Sequence, residues 1–223
     1  EKKIERGMHR WFIVKFDKEL NIEQAATKYA EMPEISRVQF STTIKRPEVS
    51  AVPVAEEAAT RAAGGNFNDP MFYKQWHYIN DGTVAFQNAK AGEDIGAEGA
   101  WKFTTGNPEV IVAVVDEGVK YSHPDLLANM WTNDAELNGV TGVDDDKNGY
   151  VDEIYGINAV QNTADITWAK TGDTGHGTHV AGTVAAVNNN GVGVCGVAGG
   201  SGNGDGVRIM AIQIFDGDTD TFA

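Results

Sequence analysis

Val110-Ile111-Val112-Ala113-Val114-Val115 is an unbroken apolar run, β-branched at five of its six positions. A strand with one wet face alternates apolar and polar residues. A run without alternation predicts a strand buried on both faces, as in parallel sheets covered by helices. It ends in Asp116, followed by Gly118, and open parallel sheets place their chemistry at the carboxyl ends of their strands. Taken alone, Asp116 reads equally as a cap on the next turn.

A second stretch changes that balance. Thr174-Gly175-His176-Gly177-Thr178-His179-Val180-Ala181-Gly182-Thr183-Val184-Ala185-Ala186 reads as a helix whose small residues Gly177, Ala181, Gly182, Ala185 and Ala186 permit close packing. Val180 and Val184 add apolar contacts, and the helix is expected to run to about Val187. Gly175 allows a sharp entry, which sets His176 at or near the helix N-terminus. The positive potential there favours the neutral imidazole that a general base must be. An isolated His beside Gly is ordinarily structural. An Asp at a strand end followed in the chain by a His opening a helix makes up the first two members of an Asp…His…Ser triad.

Asp116-Glu117-Gly118, Ser122-His123-Pro124-Asp125-Leu126 and Gly175-His176-Gly177-Thr178-His179-Val180-Ala181-Gly182-Thr183 resemble the Asp and His motifs of the subtilisin-like serine proteases (subtilases), most closely their thermitase-like branch. The resemblance runs from about Asn68 to the C-terminus. It implies an α/β, three-layer fold with a mostly parallel sheet, incomplete in this chain, and a serine endopeptidase acting on proteins or peptides. Asp116 and His176 would be its catalytic residues. The serine, the oxyanion-hole Asn and the substrate-binding strands are expected beyond Ala223, so the remaining C-terminal part, either continuous with this chain or a separate one, is an expected partner and the fragment alone is expected to be inactive. Where the family usually has Thr or Ser, this chain has Glu117, to which no role is assigned.

The N-terminal third is different in character. Trp11 to Phe16 reads as a strand, Asn21 as the cap of a helix from Ile22 to about Tyr29, and Ile35 to Phe40 as a second strand. So small a β-α-β unit buries little by itself. The resemblance makes residues 1–47 part of a propeptide of α+β, ferredoxin-like type, its first half expected before Glu1. Residues 48–67, rich in Ala, Pro, Glu and Gly, read as a linker in which a zymogen would be processed. Residues 68–223 are then the N-terminal part of the catalytic domain, its arm anchored by Phe72, Trp76 and Tyr78. Gly96 to Phe103 suggests a short helix, and Val207 to Phe215 an interior strand.

A net charge of −14 argues against nucleic acid or an anionic membrane surface as partner, and no apolar run is long enough to span a bilayer. Part of the acidity is concentrated at Asp144-Asp145-Asp146. From Asp144 onward the chain fits the first part of a calcium loop of EF-hand type: Asp144, Asp146 and Asn148 at alternate positions, Gly149 at the sixth, the carbonyl of Tyr150 and then Asp152. Tyr155 stands where the closing Glu would be, and a solvated acidic turn is the plain alternative. A second calcium site is implied by the resemblance alone: Asp69, Asp125, the Asn190 side chain and the carbonyls of Val187, Val192 and Val194 would tie the N-terminal arm to the loop after the His helix. His123 and His179 fall in no zinc pattern. Gly199 to Gly206 contains a Gly-x-Gly-x-Gly run but opens no helix, so it is read as a turn and not a dinucleotide site. Cys195, the single cysteine, reads as a buried apolar residue; one cysteine is compatible with the cytosol or with a secreted bacterial enzyme stabilised by metal, and the resemblance implies a secreted or cell-surface bacterial enzyme. Two rivals stand: a subtilase-fold binding or scaffolding protein that has lost catalysis, and a hydrolase using Asp116 itself as nucleophile.

Overall fold

The computed structural model describes residues 14, 21–40, 67–83, 90–169, 173–216 and 219–220. Of the expected N-terminal unit, helix α1 (Ile22–Ala30) forms, with the Asn21 side chain accepting from the N–H groups of Glu23 and Gln24. None of its residues is buried. Ile35–Phe40 is not a strand: the segment is turns and irregular chain, with Ile35 and Phe40 exposed. A strand needs a neighbour to take its backbone hydrogen bonds, and none lies beside it among the described residues. The expected strand at Trp11–Phe16 falls, apart from Val14, outside them.

The arm from Phe67 is built as an aromatic cluster. Phe67, Phe72 and Tyr78 are buried and meet Trp101 of helix α2 (Ala97–Trp101), with ring centroids 4.9 Å apart for Phe67–Trp101 and 5.2 Å for Tyr78–Trp101. Trp76, expected among the anchors, remains 38% exposed, and Trp101 and Phe67 take the place foreseen for it.

Strand β1 (Ile111–Asp116) leads into the acidic half of the chain, with the short helix α3 (Asp134–Leu137) and strand β2 (Gly156–Asn158). Helix α4 (His176–Ala185) and strand β3 (Arg208–Gln213) follow. The three strands form a parallel sheet in the order β1-β3-β2, with Ile111 opposite Arg208, Asp116 opposite Gln213 and Gly156 opposite Ala211. Strand β3 is thus interior, as its apolar sequence requires. A small antiparallel pair, β4 (Phe215–Asp216) with β5 (Thr219–Asp220), ends the described chain.

Among the described residues, only one face of the sheet is covered. Val114, Ile209 and Ala211 pack with Ala181 and Ala185 of α4, and with Val119, Leu126, Met130, Ile166 and Val207. Each Val, Leu or Ile so buried contributes about 1.5–3 kcal/mol. The opposite face carries Ile111, Ala113 and Val115, all exposed, and the half-buried Met210 and Ile212. The expectation of burial on both faces of β1 therefore does not hold here: no layer packs on that second face among the described residues.

Candidate active site

β1 ends at Asp116 and α4 begins at His176, and the packing of the two elements decides how near they come. Gly177 is the contact point. A Cβ there would lie 2.3 Å from the Gly118 carbonyl oxygen and 3.1 Å from Asp116 Cβ, so no larger residue lets the helix start sit on the strand end. The turn after the strand is equally tight: Gly118 has φ 114°, and a Cβ on it would strike the Thr167 carbonyl. Gly175, at φ 77°, supplies the sharp entry to the helix.

The consequence is a side-chain pair. His176 Nδ1 lies 2.8 Å from Asp116 Oδ2 and 3.0 Å from Oδ1. Oδ1 also accepts the Glu117 N–H at 2.8 Å. The carboxylate is only 15% exposed while the imidazole is 48% exposed. A carboxylate on Nδ1 holds that nitrogen as the N–H donor and leaves Nε2 as the basic one. Chemically, the pair can take a proton from a hydroxyl presented on the open side of the ring and stabilise the imidazolium that results.

Glu117, given no role by the sequence, is 1% exposed. Its carboxylate accepts the His176 N–H at 2.6 Å and the Thr174 N–H at 2.9 Å, with the Thr174 hydroxyl at 3.2 Å. Nothing local in the sequence announces these partners, which lie 57 and 59 residues away.

The acidic loop closes on itself around more residues than the spacing named. Carboxylate oxygens of Asp144, Asp146 and Glu136 lie within 4.8 Å of one another. Glu136, buried on α3, braces the loop by accepting from the N–H groups of Asp145, Asp146 and Asp152. Asn148 donates through its side-chain amide to Asp146 and Glu153, and its Oδ1 accepts the Tyr150 N–H. Asp152 is engaged elsewhere, its carboxylate accepting from Gly142 N–H at 2.9 Å. Glu153 is buried; Oε1 takes amide protons from Asn133 and Asn148, whereas Oε2 has no hydrogen-bond partner among the described residues. An unpartnered buried carboxylate oxygen beside a carboxylate cluster fits a hard cation with oxygen ligands. Glu136 and Glu153 were missed because neither occupies a loop position of the calcium pattern, and their burial is visible only in the structure.

The second set is also drawn together. Asp69 accepts from the Asn189 and Asn190 N–H groups, at 2.7 and 3.3 Å, and Cys195 Sγ lies 3.2 Å from it. Asp125 accepts from the Asn190 side-chain amide and from Val194 N–H, both at 2.9 Å, and its own carbonyl takes the Val187 N–H. Both carboxylates are buried. Burial, opposed by those hydrogen bonds and reinforced by nearby Asp69, raises the Asp125 pKa above the ordinary carboxylate value. Cys195 is fully buried as expected, its thiol pushed far up by burial and then by Asp69. Val192 is 39% exposed on the outer side of the loop. No helix among the described residues is long and apolar enough to cross a membrane.

The Subtilase family matches residues 107–220, just over half of the chain. Subtilisin-like protease 1 of Plasmodium berghei is 43% identical over 166 residues, covering 73% of this chain and 26% of that protein. Halolysin of Haloferax mediterranei is 32% identical over 179 residues, 79% of this chain and 27% of that protein. The halolysin-like extracellular serine protease Nep of Natrialba magadii is 31% identical over 144 residues, 65% of this chain and 20% of that protein. The chain thus spans about a quarter or less of the length of the relatives it matches. By the family match over residues 107–220, which takes in both Asp116 and His176, the chain belongs to the subtilase family.

Proposed function

We propose that the protein carrying this chain is a calcium-stabilised serine endopeptidase that hydrolyses peptide bonds through Asp116, His176 and a serine lying outside these 223 residues. The observation that carries the reading is the 2.8 Å contact between Asp116 Oδ2 and His176 Nδ1 on an imidazole that is half open to solvent. His176 takes the serine proton as the hydroxyl oxygen attacks the peptide carbonyl, then returns it to the leaving amine. Asp116 holds the ring in the productive tautomer and stabilises its charged form. With both its oxygens committed to His176 and one also to the Glu117 N–H, Asp116 is poorly placed to be a nucleophile itself.

Asp69, Asp125 and Asn190, with the carbonyls of Val187, Val192 and Val194, would hold one calcium ion. Asp144, Asp146, Asn148 and Tyr150, joined by Glu136 and Glu153, would hold another, with Asp152 contributing through the carboxylate oxygen not bonded to the Gly142 N–H. A bound cation neutralises carboxylates that otherwise repel one another. Residues 1–47 are read as part of a propeptide and 48–67 as the linker cut on maturation; a helix α1 with no buried residue suits a segment outside the catalytic core. We read the protein as secreted, a reading supported by the extracellular relative.

The test uses the full-length protein. A serine-directed fluorophosphonate should label it and casein hydrolysis should be measurable, with both lost in His176→Ala. A well-folded protein inert to both would favour the binding or scaffolding reading instead.

A further inference from the structure

Helix α4 starts without a cap of its own. Its N-cap residue is Gly175, which has no side chain to accept the first N–H groups, and those donors have no partner within the helix. The His176 backbone N–H is among them, yet it is satisfied from another element, by Glu117 Oε1 at 2.6 Å. The same carboxylate takes the Thr174 N–H and hydroxyl. A buried carboxylate at a helix N-terminus is stabilised there by the helix dipole and by charge-assisted hydrogen bonds.

What makes this more than a cap is the residue it holds and the residue beside it. Asp116 and Glu117 are consecutive at the end of β1. Asp116 grips the His176 imidazole and Glu117 grips the His176 main chain. The Glu117 N–H in turn donates to Asp116 Oδ1 at 2.8 Å, so one residue orients both members of the pair. With Gly177 seated against the Gly118 carbonyl, the imidazole is fixed at its backbone and at its ring from a single strand end.

Resting on the functional reading above, we propose that Glu117 is a positioning residue: it caps the His helix from the neighbouring strand and so fixes His176 against Asp116 for proton transfer. It touches neither substrate nor the reacting atoms.

In the full-length enzyme, Glu117→Gln keeps the volume but sets an amide N–H₂ against backbone donors. It should lower kcat by about ten- to a hundredfold, the range of one or two hydrogen bonds to a charged group, with KM little changed. The discriminating step is the double-mutant cycle. In the Asp116→Asn background, Glu117→Gln should cost less than about threefold, because the geometry it protects has lost its use. Multiplicative effects would overturn the proposal, as would an unchanged kcat. Should Glu117→Gln fail to fold, the wild-type protein decides: the His176 amide should exchange with solvent slowly, and free exchange at the rate of an ordinary first-turn amide would overturn it. A protein that hydrolyses no peptide while this amide is protected would sink the functional reading and keep the cap.

Discussion

Asp116 and His176 stand 60 positions apart in sequence and 2.8 Å apart in space, and the closeness depends on glycines more than on either residue. Changing Asp116 to Asn preserves shape but removes the preference for the Nδ1–H tautomer. The full-length enzyme should then lose kcat by about ten-thousandfold, with its melting temperature within a few degrees of wild type. Near-normal turnover in that variant would be incompatible with the proposed mechanism. Gly177→Ala should be worse for the fold: its methyl would sit 2.3 Å from the Gly118 carbonyl, and forcing it in should cost about 1–3 kcal/mol and part the pair. An unaltered denaturation midpoint would show that the helix start is not in fact packed so closely. Both side chains of the pair were legible from sequence, because strand-end Asp and helix-start His each carry a local signature. Glu117 was not. A carboxylate's partners 57 and 59 residues away leave no mark on its own neighbourhood, so a residue that looked like a departure without a role is the one that caps the helix.

Elements that carry a local signature were located closely, although β1 is covered on one face among the described residues and not on both. The β-branched run is β1, the apolar stretch near Ile209 is the interior strand β3, and the Asn21 cap and helix α1 are where propensity and capping put them. Ile35–Phe40 failed because strand propensity is conditional on a partner, which lies outside any local window. The glycine-rich loop between α4 and β3 is similar: its composition says turn, but what shapes it is Asp205, whose carboxylate accepts from the Ser201 N–H at 2.7 Å and hydroxyl at 2.9 Å. Those hydrogen bonds, chiefly the Ser201 backbone one, hold the Asp205 pKa below its ordinary value. The sign follows from that: a depressed folded-state pKa adds stability that is present above the unfolded value, near 3.9, and is lost as pH falls through the folded one. The Ser201 amide should therefore lose exchange protection only in acid, below about pH 4. Asp205→Asn should show the faster exchange already at neutral pH. Equal protection in both proteins at pH 7 would remove Asp205 from this role.

At the level of the whole molecule, two sets of buried and half-buried carboxylates bind together parts of the chain that the core leaves apart. Asp69 and Asp125 link the aromatic arm to the loop after α4, while Glu136, Asp144, Asp146 and Glu153 close the acidic insertion onto α3. The sheet adds little across these regions, since its covered face lies against α4 and its other face presents Ile111 and Val115 to solvent. An open apolar face of this kind predicts that these 223 residues produced alone will bind a hydrophobic dye and self-associate, and that Val115→Lys will reduce both; a monomeric, dye-silent wild-type chain would contradict it. Calcium is the larger lever. A ligand that binds only the folded state adds RT ln(1 + [L]/Kd), about 2.7 kcal/mol at a hundredfold excess over Kd. For a domain of this size that corresponds to roughly 5–10 °C in melting temperature. Chelation of the full-length protein should lower the melting temperature by that order and open the acidic insertion to proteolysis near Val140–Val143, residues that are exposed at the tip of the loop. The two sites can be told apart. Glu153→Gln, at the carboxylate whose Oε2 has no hydrogen-bond partner among the described residues, should weaken calcium protection of the insertion and leave the loop at Asn189–Val194 guarded. Asp125→Asn should do the reverse, because its carboxylate orders that loop directly through Asn190 and Val194. If chelator changes neither melting nor cleavage, both clusters are hydrogen-bonded acidic turns and no cation holds them.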